Sequence, residues 1–200
     1  STLVVPADFC EDTEILETLL PQVIDYEKEK LLEFLSAIDI GIKDIGYDDS
    51  EKETFFYTVH KGKDGKRYPL NLYSESEGTI KSILLFIYAR TAILHDRSIF
   101  VDELNVKLHP LLLKFIVDLF YEEKSKAQLI YTTHDTTLMD KKFFRRDQIW
   151  FVQKDEYGYS ELSALSDFKI RSDASFEKDY LAGVYGGIPF IKEFTVKEGV

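Results

Sequence analysis

Apolar positions in this chain recur first at a helical interval. Ile15, Leu16, Leu19 and Leu20 return every three or four residues, Pro21 interrupts, and Leu31, Leu32, Leu35 and Ile38 resume the stripe. The pattern predicts two helices or one kinked helix after a lead-in over residues 1–12. Charged residues 27–30 lie between the two stripes and read as a solvated face whose acid-then-base order gives modest helical pairing. The period then changes to two over residues 40–47, and residues 54–60 are rich in aromatic and β-branched types, so strands are expected in both. Asp64-Gly65 supplies a tight turn, with residues 67–72 as the returning strand of a hairpin.

A helix follows, with Ile80, Ile83, Leu84, Ile87 and Leu94 on its apolar face and Arg90 and His95 expected on the solvent side. Ser98-Ile99-Phe100-Val101 is a short apolar run that ends abruptly in Asp102-Glu103. Leu108-His109-Pro110 opens another helix, apolar nearly all round, with Leu111, Leu112, Phe115, Ile116 and Leu119. Such a helix is expected to be covered on both sides. Residues 127–132 form the next buried strand, ending in Thr133-His134-Asp135. Strands joined by one helix run parallel, so both strand ends are expected at one sheet edge. Residues 141–146 read as a basic docking turn rather than a nucleic-acid patch, 149–153 and 160–165 as a hairpin around Asp155-Glu156-Tyr157-Gly158, and 172–185 as a last helix stopped by Gly186-Gly187. The predicted class is α/β: a parallel-strand core with flanking helices and small antiparallel hairpins.

Composition narrows the function classes. With 44% hydrophobic and 14% aromatic residues among 200, the chain can bury a core. A formal charge of −11 argues against a surface designed to coat nucleic acid and confines any such contact to a local patch. Lys61, Lys63, Lys66 and Arg67 are either such a patch or solubilising charges on a hairpin. The single cysteine, Cys10, has no internal disulfide partner, and no Cys/His spacing suggests zinc, so a reducing cytoplasm is expected. No apolar run reaches the length of a membrane span, and no membrane contact is expected.

Two stretches carry candidate chemistry. An apolar strand ending in adjacent carboxylates is either a solvated strand end or a buried strand delivering acids to the carboxyl edge of a sheet, where ligands of open α/β sheets bind. His134 at the same edge makes chance agreement of all three groups less common than that of any one. The Ser76-Glu77-Gly78-Thr79 turn before a helix is either a plain N-cap or an anion site formed by free N–H groups and the helix dipole.

Taken together, Ser-Glu-Gly-Thr, Asp-Glu-Leu…Leu-His-Pro, Thr-Thr-His-Asp, Arg-Arg-Asp-Gln-Ile-Trp-Phe and Tyr-Gly-Gly-Ile-Pro-Phe resemble the ABC-type ATPase heads of the SMC/Rad50 kind. They resemble more closely the bacterial AAA-15/AAA-21 ATP-binding proteins of abortive-infection phage defence. The resemblance runs from about residue 31 to 191 and implies an ABC-type P-loop NTPase fold, with ATP and Mg²⁺ as cofactors. It implies that Ser76 and Gly78 belong to a signature motif reaching the γ-phosphate of ATP on a second copy, that Asp102 is the Walker B acid acting on Mg²⁺, and that Glu103 is the general base. His134 is implied as the switch histidine, and Leu104 to His109 as the D-loop region beside the nucleotide. Glu77 stands where transporters prefer glycine, and His109 where many heads carry aspartate.

No G-x-x-x-x-G-K-[ST] occurs; Gly62 to Lys66 has the wrong spacing. The resemblance therefore implies the C-terminal portion of an ATPase, with residues 1–39 a helical lead-in and 40–200 the C-terminal part of the ATPase domain. Such a segment is expected to bind ATP poorly and hydrolyse none by itself. The complete protein is expected to be an ATPase that forms a head-to-tail dimer around two ATP molecules and controls a separate nuclease or toxin effector. A DNA-binding ATPase of the SMC/Rad50 sort and a non-catalytic interaction lobe are the alternatives.

Overall fold

The computed structural model describes residues 2–5, 13–38, 41–50, 52–105, 108, 110–122, 124–171 and 174–187. In chain order its elements are β1 (Thr2–Val5), α1 (Thr13–Ile38), β2 (Ile42–Asp48), β3 (Phe55–Lys61), β4 (Arg67–Asn71), α2 (Glu77–Leu94), β5 (Ser98–Val101), α3 (Pro110–Glu122), β6 (Gln128–Tyr131), β7 (Trp150–Lys154), β8 (Ser160–Ala164) and α4 (Phe176–Leu181). Contacts divide the chain into two compact units, Ser1–Asp135 and Thr136–Val200.

The first unit holds a parallel sheet in the order β1-β5-β6. The lead-in thus contains a core strand: four residues are too few for alternation to register, yet Val5 pairs with Val101 and is fully buried. Because side chains alternate across a strand, the shared register sorts the sheet into two faces. Val5 and Val101 align with Tyr131, and Leu3 and Ile99 with Leu129; Val5, Ile99 and Val101 are buried. Val4, Phe100 and Ile130 align in a row on the opposite face, where Val4 is 69% and Ile130 47% exposed.

Helices α1, α2 and α3 meet at Phe34, whose ring lies 5.3 Å from Phe86 and 5.1 Å from Phe115. Of residues 79–93 in α2, all but Ile80 and Thr91 are buried. It is therefore α2, more than α3, that is enclosed all round; α3 leaves Lys114, Phe115, Asp118 and Phe120 half-buried. Enclosure also corrects the placing of Arg90. This residue is only 5% exposed, and its guanidinium grips the Glu27 carboxylate, with Nη2 donating to Oε1 at 3.0 Å. Glu27 is also where α1 breaks, at φ −137° and ψ 21°, while Pro21 lies inside the helix. The interruption expected at the proline thus falls six residues later, at an acid that the sequence placed on a solvated face. A buried pair of this kind costs desolvation, and losing one partner costs about 3–5 kcal/mol because the other charge is left alone.

An antiparallel sheet, β2-β3-β4, completes the first unit. Gly46 stands opposite Tyr57, where a Cβ would come 2.6 Å from the tyrosine ring, so only glycine admits that ring. The β3-β4 turn closes as expected: Gly65 takes φ +78°, and the Gly62 N–H donates to the Lys66 carbonyl at 2.8 Å.

The second unit is organised by an aromatic cluster. Phe151 stacks on Tyr180 and Tyr185, each 5.4 Å away, with Phe168 edge-on and Leu165 and Phe176 buried alongside. Strands β7 and β8 form the expected antiparallel hairpin. The last helix is shorter than its pattern predicts. Gly183, not Gly186-Gly187, ends it: at φ +80° it lets the Gly183 and Val184 N–H groups reach the carbonyls of Tyr180 and Asp179 and close the helix end. No helix among the described residues is long and apolar enough to cross a membrane.

Candidate active site

Strand β5 ends at Val101, and the chain turns at once through Asp102, Glu103, Leu104 and Asn105. The Asp102 N–H donates to the Val5 carbonyl at 3.0 Å, extending the β1 ladder one residue past the strand. Glu103 then adopts φ +47°, a left-handed backbone that costs an L-residue about 1–2 kcal/mol. Such strain persists only where surrounding bonds over-determine it, and here the bonds come from the end of β6. The Glu103 N–H donates to the Thr132 hydroxyl at 2.8 Å, and the Leu104 N–H to the Thr132 carbonyl at 3.0 Å. The same hydroxyl donates to Asp102 Oδ1 at 2.5 Å. One residue further on, the Thr133 hydroxyl donates to Asn105 Oδ1 at 2.8 Å and accepts the Asp135 N–H at 2.9 Å.

These bonds bring three of the sequence-predicted residues together. His134 Nε2 lies 3.9 Å from Glu103 Oε1, with the imidazole 89% and the Glu103 side chain 44% exposed. Asp102 is exposed too. The arrangement leaves two carboxylates and an imidazole facing outward from a rigidly tied edge, able to accept a proton, orient a water molecule and meet a hydrated cation. No group of three His, Cys, Asp or Glu side chains able to enclose a metal ion occurs among the described residues. Magnesium on a nucleotide needs no such cage, since phosphate oxygens and water fill most of its positions and one or two carboxylates complete them. Asp102 fits that donor set. His109 lies outside the described residues.

The Ser76 turn opens α2. Ser76 is the N-cap of α2, its hydroxyl accepting the Thr79 N–H at 3.1 Å and meeting the Thr79 hydroxyl at 2.8 Å. The Gly78 carbonyl accepts the Ser82 hydroxyl at 2.6 Å. Just before the cap, the covered side chain of half-buried Glu75 accepts the Thr58 hydroxyl and lies 2.6 Å from His60 Nε2. His60, a residue of β3, is therefore also an anchor that ties the strand to the start of α2. Thr132 carries no signal in its own stretch of sequence. The signal that could have found it is register: with Val101 beside Tyr131, the next residues, Asp102 and Thr132, are neighbours.

A parallel sheet with acids and a histidine at its carboxyl edge, flanked by helices, defines a P-loop NTPase-like α/β domain. Residues 5–140 match the family model described as "AAA domain, putative AbiEii toxin, Type IV TA system". The match covers more than half of the chain, and the chain belongs to this family of AAA domains. No curated protein matches it.

Proposed function

We propose that this chain is the C-terminal part of an ATP-hydrolysing switch of the ABC type, in which Glu103 is the general base, His134 fixes the attacking water beside the γ-phosphate, and Asp102 holds Mg²⁺ through its water shell. The observation that carries the reading is the left-handed backbone of Glu103, held by bonds from the neighbouring strand within 3.9 Å of an exposed histidine. Magnesium, when bound, neutralises charge on the transferring phosphate. A carboxylate placed for general base catalysis contributes about 10²–10⁴ in rate.

The phosphate cradle belongs, in this reading, to a further lobe, because no glycine-rich Walker A run occurs in the sequence. The apolar row of Val4, Phe100 and Ile130 supports it: parallel sheets are ordinarily covered on both faces, and this row is a surface for such a lobe. In this reading the Ser76 turn acts in trans. Ser76 and Gly78 then meet the γ-phosphate held by a second copy, beside His109, and two ATP molecules lie between head-to-tail partners. The family description names a toxin of a toxin–antitoxin system, and the switch is proposed to set the state of such an effector in phage defence.

Sedimentation tests this. In the protein joined to its cradle lobe, Glu103→Gln is expected to dimerise with Mg-ATP and remain monomeric without it. Adding Ser76→Asp keeps a good N-cap while setting a carboxylate against the phosphate, and should abolish the dimer. Identical sedimentation with and without Mg-ATP would overturn the switch.

A further inference from the structure

Thr132 ties down the acid turn through both its backbone and its side chain. Its N–H donates to the Val101 carbonyl at 3.1 Å, and its carbonyl accepts the Leu104 N–H at 3.0 Å. Its hydroxyl accepts from the Glu103 N–H and donates to Asp102. A hydroxyl has one proton to give and lone pairs to receive, so one group at once orients the carboxylate of one acid and pins the backbone of the other. The backbone it pins is the strained one, at φ +47°. Thr132 itself is exposed and lies directly beyond β6, so no core packing calls for its side chain there.

We infer that the Thr132 hydroxyl is the positioning group that sets the Asp102 carboxylate and the Glu103 backbone in one geometry, coupling the end of β6 to the acid turn. Its consequence for turnover rests on the ATPase reading above. The hydroxyl acts through the two acids rather than on the reacting atoms. It fixes the direction in which Glu103 leaves the chain, and a misplacement of the base lowers the rate of the chemical step rather than the affinity for ATP.

Two substitutions separate the hydroxyl from the side chain's bulk. Thr132→Val keeps the branched shape suited to a strand end and removes the hydroxyl, whereas Thr132→Ser keeps the hydroxyl and removes the methyl. Amide hydrogen exchange on the chain itself comes first. The Glu103 amide is expected to exchange about 5- to 10-fold faster in Thr132→Val, as one lost hydrogen bond implies, and at nearly the native rate in Thr132→Ser. Steady-state ATP hydrolysis by the protein with its cradle lobe comes second. There kcat is expected to fall roughly 10- to 100-fold in Thr132→Val, with KM for ATP within about 3-fold, and to return in Thr132→Ser. An unchanged Glu103 amide in Thr132→Val, or equal loss in both variants, would overturn the inference. So would native turnover in Thr132→Val. If the exchange pattern holds but the native protein with its lobe hydrolyses no ATP, the positioning role stands and the ATPase reading fails.

Discussion

Two strands of this protein end in the same dipeptide, and they use it differently. Asp102-Glu103 follows β5 and Asp155-Glu156 follows β7. At the second pair the chain reverses into an antiparallel partner. Asp155 Oδ1 accepts the N–H groups of Tyr157 at 2.9 Å and Tyr159 at 2.8 Å, and Gly158 at φ +86° completes the turn. The acid there is spent on its own hairpin, and Glu156 is exposed. At the first pair the chain leaves a parallel strand and makes no hairpin. Its acids are tied instead by the neighbouring strand's threonine, and their side chains stay open to solvent. The dipeptide carries no function in itself; what closes the turn after it decides whether the carboxylates hold the fold or remain for a ligand.

The largest separation between the pairs is expected in turnover. On the proposed ATPase reading, and in the protein joined to the proposed cradle lobe, Glu103→Gln should lower ATP hydrolysis by about 100-fold or more, the scale of a lost general base. Glu156→Gln, at the hairpin tip, should leave it unchanged. Phosphate release under saturating Mg-ATP measures both. Equal effects from the two would dissolve the distinction, and native turnover in Glu103→Gln would remove Glu103 from the chemistry.

Stability should separate the pairs in the opposite sense. Asp155→Ala removes the acceptor of two backbone N–H groups and should destabilise the second unit by about 1–2 kcal/mol. Asp102→Ala removes one bond to an exposed hydroxyl and should stay within about 0.5 kcal/mol. Denaturant unfolding of this chain reads both changes. A larger loss at Asp102 would make the acid edge a structural feature.

Much of this arrangement is legible in the sequence. Two apolar runs joined by one helical stripe implied parallel β5 and β6, and that relation alone brought Asp102, Glu103 and His134 to one edge. What was not legible depends on partners distant in sequence. Arg90 looked solvent-facing because periodicity reports one face of a helix, and nothing in residues 77–94 reveals that α1 and α3 cover the remaining faces. Its acid, Glu27, is 63 residues away. Thr58 and His60 likewise meet Glu75 only after β3 folds back. β1 was hidden because four residues show too little alternation to be distinguished from a tail. The Ser76 turn was legible as two alternatives, and its hydrogen bonds satisfy the capping one while leaving the proposed action in trans to experiment.

A second left-handed acid tests whether backbone strain marks chemistry. Asp96 takes φ +50°, close to the +47° of Glu103, and these two are the non-glycine residues with positive φ among those described. At Asp96 the conformation is a helix ending. The N–H groups of Asp96 and Arg97 reach back to the carbonyls of Ile93 and Ala92, closing α2. Its carboxylate accepts the Lys126 N–H at 2.7 Å and the Ser125 hydroxyl at 3.0 Å, and these bonds hold its pKa below the usual 3.8. A depressed carboxyl pKa contributes stability that is present above the unfolded value and lost as pH falls through the folded one. The substitution Asp96→Asn keeps an acceptor in the same conformation but removes the charge. The melting temperatures of the native chain and the Asp96→Asn variant should therefore differ slightly at neutral pH and converge below the usual carboxylate range, with ATP turnover untouched. A gap that persists into acid would mean that the Asp96 charge contributes nothing, and altered turnover would mean that the helix ending is coupled to the acid edge after all.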